Sequence, residues 1–364
     1  MRIAIIYDWL TNKGGAERLL FSLLDVFPRA DLFTMIYNPK IFPELKNRKI
    51  ITSFLNHMPL AKCYWPVYAP LMPLAVESFD LRGYDVVISL SWSFSKGIIT
   101  KPETIHISYL CTPTRFLWYP QIDQRAPKRG LTKRLIDYLK TWDKLAGERP
   151  DYYWAISKTA AGRIKDIYNR KSQIIYPAVD TGFFTPTNHS KEDYFLHVGR
   201  LIPYKIVDLA IAACQKLNLS LKIVGEGPEM GRLRRLAKKP NIQFLGRVND
   251  QKLLQLYRRA KAVLFCSEED FGLVPIEAMA AGTPVIAFEK GGAGEIVTSK
   301  TGILFSKQEA GSLVWTLKQF SKITFDQKDL ISRAQDFSKL YFKKDIAKGL
   351  QNIIKLRAKG VMWT

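Results

Sequence analysis

Short apolar runs alternate with stretches of helical spacing along the whole chain. Residues 1–7 (MRIAIIY) read as a first buried strand, and 15–27 (GAERLLFSLLDVF) carry apolar residues at helical spacing after Gly14 and Gly15. ADLFTMIY, YDVVISLS and TIHISYL read as further buried strands, 131–146 as a basic amphipathic helix, and 152–157 as a strand. SKTAAGRIKDIY predicts a helix starting from Ser157, and 173–180 a short strand ending in a Pro turn. The second half repeats the logic: strand 194–200, helix 208–217, strand 219–227 closing in Gly-Glu-Gly-Pro, then the strands IQFLGRV, AVLFCS and PVIAF with helices between them. Strands alternating with helices of this length argue for parallel sheets built from crossover units. The prediction is an α/β chain of two Rossmann-like domains facing a cleft, 1–180 and 181–364, joined near 177–186. A last helical stretch, 345–359, packs on its own domain or crosses back onto the first; both placements stay open.

The length of 364 residues suits two domains, and 47% hydrophobic residues supply two cores. The net charge of +22 changes the picture more, because it selects anionic partners: nucleic acid, phosphorylated small molecules or an anionic membrane face. No nucleic-acid module is present and the cations spread through both halves, so nucleic acid is set aside. Cys63, Cys111, Cys214 and Cys266 form no CxxC pair, which argues against a disulfide scaffold or zinc site and for a reducing, cytoplasmic setting. The N-terminal run is too short for a signal peptide or a span, so the expectation is a soluble protein or one peripheral on the inner face of the plasma membrane.

Candidate chemistry concentrates in AVLFCSEEDFGLVPIEAMAAGTPVIAF, which spells strand, loop, short helix, strand. Pro275 suits a first helical turn and Gly282 the helix exit. Gly272 lets the backbone approach a ligand, and the N–H groups near Leu273 and Val274 make an anion site at the helix start. Glu269 lies past the strand end, where open parallel sheets bind ligands, and Glu277 is expected on the first helical turn. Taken singly, these acids read as a solvated loop residue and a dipole-stabilising one; a glycosidase-like acid/base pair is a further reading.

The whole run EDFGLVPIEAMAAGTPVIA resembles the signature of glycosyltransferase family 4, retaining enzymes of GT-B fold. The resemblance implies that Glu269 contacts hydroxyls of a donor sugar, that Glu277 contacts the nucleotide ribose, and that backbone amides of Phe271, Gly272 and Leu273 cradle sugar and phosphates. HVGRLIPYK is similar to a segment whose Arg and Lys grip the donor diphosphate, here Arg200 and Lys205. Many relatives carry a second basic residue where Ile206 stands. Gly225 in GEGP, with Gly246 and Arg247 in FLGR, match family positions for the base and ribose. YDWLTNKGGAERLL resembles the family's glycine-rich loop, with Gly14 and Gly15 approaching the donor phosphate or acceptor. CTPTRFLW is similar to a stretch that places Cys111 and Arg115 on the acceptor side. Relatives commonly carry His where Tyr7, Trp92 and Cys111 stand.

The resemblance thus implies a retaining transfer of a sugar, mannose from GDP-mannose first and a UDP-sugar next, to a glycan or polyprenyl-linked acceptor in surface polysaccharide assembly, with no metal or other cofactor. A sugar-nucleotide epimerase of GT-B fold and an inactive sugar-nucleotide-binding protein remain alternatives. His106 and His197, inside apolar strands, read as packed residues rather than metal ligands. KCYWPVYAPLMPLAV (62–76), Lys46, Arg48, Lys49 and RAPKRGLTKRLIDYLK fit an anionic membrane contact, or else solvated faces and a cleft wall.

Overall fold

Two all-parallel sheets carry the structure, a computed structural model that describes residues 1–120, 131–187 and 190–359. The chain divides into two units, Met1–Tyr176 together with the segment from Lys343 onward, and Pro177–Phe342. The change of unit falls four residues before the expected boundary, and the return lies inside the last helix. That helix, Lys339–Ala358, starts earlier than the expected 345 and brings the chain back to the first unit. Of the basic stretch singled out in the sequence, residues 121–130 lie outside the described residues; the helix Leu131–Ala146 follows as expected.

The first sheet contains β1 (Ile3–Tyr7), β2 (Asp31–Thr34), β3 (Ile50–Thr52), β4 (Val86–Ser91), β5 (Ile105–Leu110), β6 (Tyr152–Ala155) and β7 (Gln173–Ile174), in the order β3-β2-β1-β4-β5-β6-β7. β4 and β5 are buried at every position, as strands covered on both faces must be, which is why their sequences are almost continuously apolar. The second sheet contains β8 (Phe195–Val198), β9 (Leu221–Val224), β10 (Ile242–Gly246), β11 (Ala262–Phe265), β12 (Val285–Phe288) and β13 (Gly302–Phe305), in the order β10-β9-β8-β11-β12-β13. Chain direction across each sheet reverses once, between β1 and β4 and between β8 and β11. Open parallel sheets bind ligands beyond the carboxyl ends of the strands at such a switch point.

Each unit has its own core. In the first, Ile6, Phe33, Val87 and Phe94 pack with Met72, Val76 and Trp142. In the second, Leu264 and Ile286 pack against Val207, Ile211 and Leu313 from flanking helices. Ser157 caps the helix Lys158–Tyr168 by accepting from Ala160 N at 2.9 Å, the start read from the sequence. No helix among the described residues is long and apolar enough to cross a membrane.

Candidate functional site

The switch point of the second sheet brings together the turn carrying Arg200 and Lys205 with the loop and helix start carrying Glu269 and Leu273; Gly225 and Gly246 lie farther along the same edge, at the ends of β9 and β10. After β8 the chain turns through Gly199 and Arg200; after β11 it runs through Ser267 to Glu269 and into the helix Leu273–Ala280. The edge is closed by backbone bonds: Gly199 N donates to Val224 O at 3.0 Å, Leu201 N to Glu226 O at 2.9 Å, and Gly225 N to Gly246 O at 2.8 Å. Gly225 has φ +135° and a Cβ there would lie 1.8 Å from Gly199 O; one on Gly227 would lie 2.2 Å from Leu201 O. Both glycines of GEGP are therefore required by the approach of the β8 turn. Gly246 ends β10, and Arg247 follows it, exposed.

Lys205 closes a short helical turn, Pro203–Lys205, and its Nζ donates to Glu269 Oε1. Ser267 Oγ donates to the same oxygen at 2.7 Å. Lys205 and Glu269 are largely buried, at 13% and 17% side-chain exposure, so the pair is shielded from solvent screening. Arg200 differs: it is exposed and its guanidinium has no partner among the described residues. Beneath the turn lies His197, buried, its ring without a side-chain hydrogen-bond partner among the described residues. Burial, then the nearby Lys205 charge, pulls its pKa down to about 4, so the ring is neutral. Ile206, next to Lys205, holds φ +50°, an uncommon conformation for a β-branched residue.

Gly272, at φ +115°, precedes the helix, whose first N–H groups have no intrahelical acceptor. Leu273 and Val274 are its partly exposed residues, while Phe271 is buried against Phe337, with ring centroids 5.8 Å apart. Glu277 is the fifth residue of this helix, on its second turn rather than the first, because the helix starts two residues before Pro275. It is buried, and its Oε2 accepts from Tyr257 OH at 2.9 Å.

The sequence reading missed Ser267, Tyr257 and the run Gly291, Gly292, Ala293, Gly294. Gly292 N donates to Glu269 O at 2.7 Å, and Cβ atoms on Gly291 and Gly292 would lie 2.4 Å from Glu269 O and 2.1 Å from Phe271 O. This glycine turn after β12 clamps the backbone of the Glu269 loop. The signal was a Gly-Gly-x-Gly separated by two residues from the end of an apolar strand.

In the first unit, Tyr7, Trp92 and Cys111 follow or end the neighbouring strands β1, β4 and β5, so the fold brings their backbones to one edge. Their side chains are differently placed. Tyr7 is fully buried, its OH donates to Glu17 Oε1 at 2.6 Å, and burial followed by Glu17 raises its pKa well above the usual value. Trp92 meets Trp9 edge-on at 4.3 Å, and Cys111 is buried with its N–H on Ser91 O. Arg115 is half-buried at the start of the turn Arg115–Trp118. Gly14 caps the helix Gly15–Val26, and a Cβ on it would come 3.1 Å from Glu17 Oε2.

A second buried framework, unforeseen, supports this edge. Asp8 accepts the backbone N–H groups of Trp92, Ser93, Phe94 and Ser95 at 2.7–2.9 Å. Lys96 and Asp143, both fully buried, pair at 2.6 Å, and Asp143 also accepts from Thr114, Trp118 and Tyr168.

Chemically, the second unit's edge combines cations and helix-start amides that have no intrahelical acceptor, suited to a diphosphate, with two carboxylates suited to hydroxyl groups. Residues 180–337 match the family described as Glycosyl transferases group 1. An uncharacterized glycosyltransferase of Methanocaldococcus jannaschii is 26% identical over 215 residues, 58% of this chain and 61% of that protein. A D-inositol 3-phosphate glycosyltransferase of Mycobacteroides abscessus is 34% identical over 174 residues, 41% of this chain and 39% of that one. The chain thus aligns with between about two fifths and three fifths of these two relatives. Among solved structures, sucrose-phosphate synthase of Thermosynechococcus elongatus superposes with a TM-score of 0.75 at 17% identity, covering 98% of this chain and 100% of that one. Anabaena HepE, solved with UDP, superposes at 0.69 and 19% identity, covering 97% and 100%. The fold is that of the GT-B glycosyltransferases, and the segment 180–337 matches group 1 of those enzymes.

Proposed function

We propose that the protein is a retaining glycosyltransferase that moves a hexose from a nucleotide diphosphate to a glycan or polyprenyl-linked acceptor in surface polysaccharide assembly. The observation that carries this reading is the convergence of Arg200, Lys205, Glu269 and the start of the helix Leu273–Ala280 at the β8/β11 switch point. In the proposed reaction the bond from the sugar's anomeric carbon to the diphosphate oxygen breaks, and a bond to the acceptor oxygen forms on the same face. The acceptor proton passes to the leaving phosphate oxygen. Charge grows on that phosphate in the transition state, where Arg200, Lys205 and the helix-start amides stabilise it most. Glu269 takes a donor-sugar hydroxyl and Glu277, steadied by Tyr257, the ribose. Gly225, Gly246 and Arg247 flank the base, and Phe271 and Gly272 shape the cradle. Tyr7, Trp92, Cys111, Arg115 and the Gly14, Gly15 turn belong to the acceptor side. Side-chain cations do the work of neutralisation, so the reaction as proposed takes no metal or other cofactor.

GDP-mannose is the first donor, from the family resemblance of VGRLIPYK and EDFG. A UDP-sugar is the second, because the superposed HepE is also solved with UDP-glucose. The absence of a disulfide among the four cysteines suits a reducing compartment, and we place the reaction in the cytoplasm.

A donor screen tests the reading: nucleotide release and thermal shift with GDP-mannose and UDP-sugars, for the wild type and Glu269→Ala. Turnover that Glu269→Ala abolishes, with nucleoside diphosphate binding retained, supports it. Thermal stabilisation without turnover with any acceptor would instead identify a binding protein. Interconversion of the sugar nucleotide without transfer would identify an epimerase.

A further inference from the structure

Residues 59–76 contain one charged residue, Lys62, and no Ser, Thr, Asn, Gln, Asp or Glu. They form successive short turns, Ala61–Tyr64, Trp65–Leu71 and Met72–Glu77, punctuated by Pro66, Pro70 and Pro73. One stripe at helical spacing faces inward: Ala61, Met72 and Ala75 are buried in the first unit's core, and Trp65 and Tyr68 pack against it. The stripe one residue earlier is equally apolar and is left uncovered. Leu60, Tyr64, Val67, Leu71 and Leu74 recur at intervals of four and three and are exposed, Leu60 at 74% and Val67 at 60%. The apolar arc is wider than the core can cover. Elsewhere among the described residues, large exposed apolar side chains are scattered, as on most protein surfaces.

Two more observations say what covers the stripe. Leu60 sits at φ +57°, a conformation that a bulky side chain rarely adopts, and holding it there presents an exposed leucine at the tip of the segment. The surrounding chain is also one-signed: between Glu44 and Glu77 there is no acid, whereas Lys46, Arg48, Lys49 and Lys62 are all basic. Lys46 and Lys62 have no partner among the described residues. A protein interface of this size would carry hydrogen-bonding side chains within its patch. Here the exposed polar groups are the Tyr64 hydroxyl, the Cys63 thiol and the Lys62 ammonium, and the Tyr68 hydroxyl is already engaged, donating to Pro59 O at 2.6 Å. An aliphatic face edged by tyrosine and lysine, in a positive field, matches the boundary of an anionic bilayer.

We infer that the exposed stripe Leu60, Tyr64, Val67, Leu71 and Leu74 is a membrane wedge that seats the first unit on an anionic lipid surface. Trp65 ties the wedge to the fold, its ring 4.0 Å from that of Trp9, which in turn meets Trp92. The wedge therefore adjoins the edge assigned to the acceptor, and a lipid-linked acceptor would be met at the surface where it resides. Only this last step rests on the proposed transfer reaction; the lipid contact does not.

Cys63 lies inside the segment and is the exposed cysteine, while Cys111, Cys214 and Cys266 are buried. A polarity-sensitive dye on Cys63 of the full chain therefore reports on the wedge itself. The labelled protein is mixed with vesicles of phosphatidylcholine alone or with added phosphatidylglycerol, at low and high salt, and centrifuged. Expected are pelleting and blue-shifted emission with the anionic vesicles at low salt, both weakened by salt and by neutral lipid. Val67→Glu/Leu71→Glu is expected to cut the bound fraction at least ~10-fold at an unchanged melting temperature. Val67→Ser/Leu71→Ser gives the same comparison if the charged pair does not fold. No pelleting at low salt, pelleting without a dye shift, or a Glu pair that binds like the wild type would each overturn the inference. So would a dimer in light scattering that the Glu pair dissolves, since a second copy would then cover the stripe. The donor screen reads none of these outcomes, so the two proposals fail separately.

Discussion

Lys205 donates to Glu269 Oε1, the oxygen that also accepts from Ser267 Oγ at 2.7 Å. The cation assigned to the diphosphate and the acid assigned to the sugar are thus one electrostatic unit. Lys205→Ala leaves a largely buried carboxylate without its cation and, in the proposed reaction, also removes a contact to the diphosphate. The expected loss is at least ~100-fold in kcat/KM, the scale of deleting one well-placed donor to developing charge. A double-mutant cycle of Lys205→Ala with Glu269→Gln should show coupling of ~1–3 kcal/mol in stability, as contacting charges do. Arg200→Ala is the contrast: with no partner to lose, it should shift stability by less than ~0.5 kcal/mol while weakening nucleotide binding. Additive stability effects of Lys205 and Glu269 would show that they are not one unit, and an Arg200→Ala protein that binds nucleotide normally would separate Arg200 from the donor.

Glu277 and Tyr257 make a second unit, 2.9 Å apart and both buried. Tyr257→Phe keeps the ring's packing and withdraws one donor from a buried carboxylate. The expected cost is ~1–3 kcal/mol in urea unfolding, because the acceptor is left short of a partner where water is excluded. Glu277→Gln should cost less, since its amide can still accept from the tyrosine. Equal, near-zero effects would mean that the hydroxyl does not hold Glu277.

These pairs show where the sequence could be read and where it could not. YDVVISLS and TIHISYL were legible because strands buried on both faces are nearly continuous apolar runs. β3 was not, because Ile50–Thr52 is three half-buried residues with no alternation to detect. Glu269 and Glu277 could be found by spacing, yet Glu277 lies a turn later than expected because Pro275 occupies the third helical position. Ser267 sits two residues from Glu269 and was within reach of a local reading. Lys96 and Asp143 are 47 residues apart, and nothing local marks either as buried. Long-range polar pairing is invisible to periodicity, which registers only which face is apolar.

His197 gives the pH prediction. Its folded pKa of about 4 lies below the ordinary value near 6.5, so at intermediate pH the unfolded chain binds the additional proton. The stability it contributes is complete above pH 6.5 and falls as pH drops toward 4. The full loss is ~3 kcal/mol, from the size of the shift. His106, lowered by burial to about 3, adds a slope of the same sign. The informative quantity is therefore a difference: the stability of wild type minus His197→Phe, by urea unfolding at a series of pH values. It should decline between pH 6.5 and 4 and stay flat above. A difference independent of pH would mean that the imidazole is not held neutral beside Lys205.

Lys96 and Asp143 supply the last prediction, about the loop that carries Trp92. Lys96 Nζ donates to Asp143 Oδ1 at 2.6 Å and to Ser93 O, while Asp8 gathers the N–H groups of residues 92–95. Two buried acids therefore hold one loop from opposite ends of its hydrogen-bonding inventory. Lys96→Met should destabilise by ~3–5 kcal/mol, since it strands a buried carboxylate. A simple buried ion pair would be rescued by replacing both partners with apolar residues. Here Lys96→Met/Asp143→Leu should stay at least ~2 kcal/mol below wild type, because Thr114, Trp118 and Tyr168 would lose their common acceptor. Restoration to wild-type stability by the double change would show that these three donors find other partners. In that case Asp143 serves Lys96 alone, and the loop at Trp92 depends on Asp8.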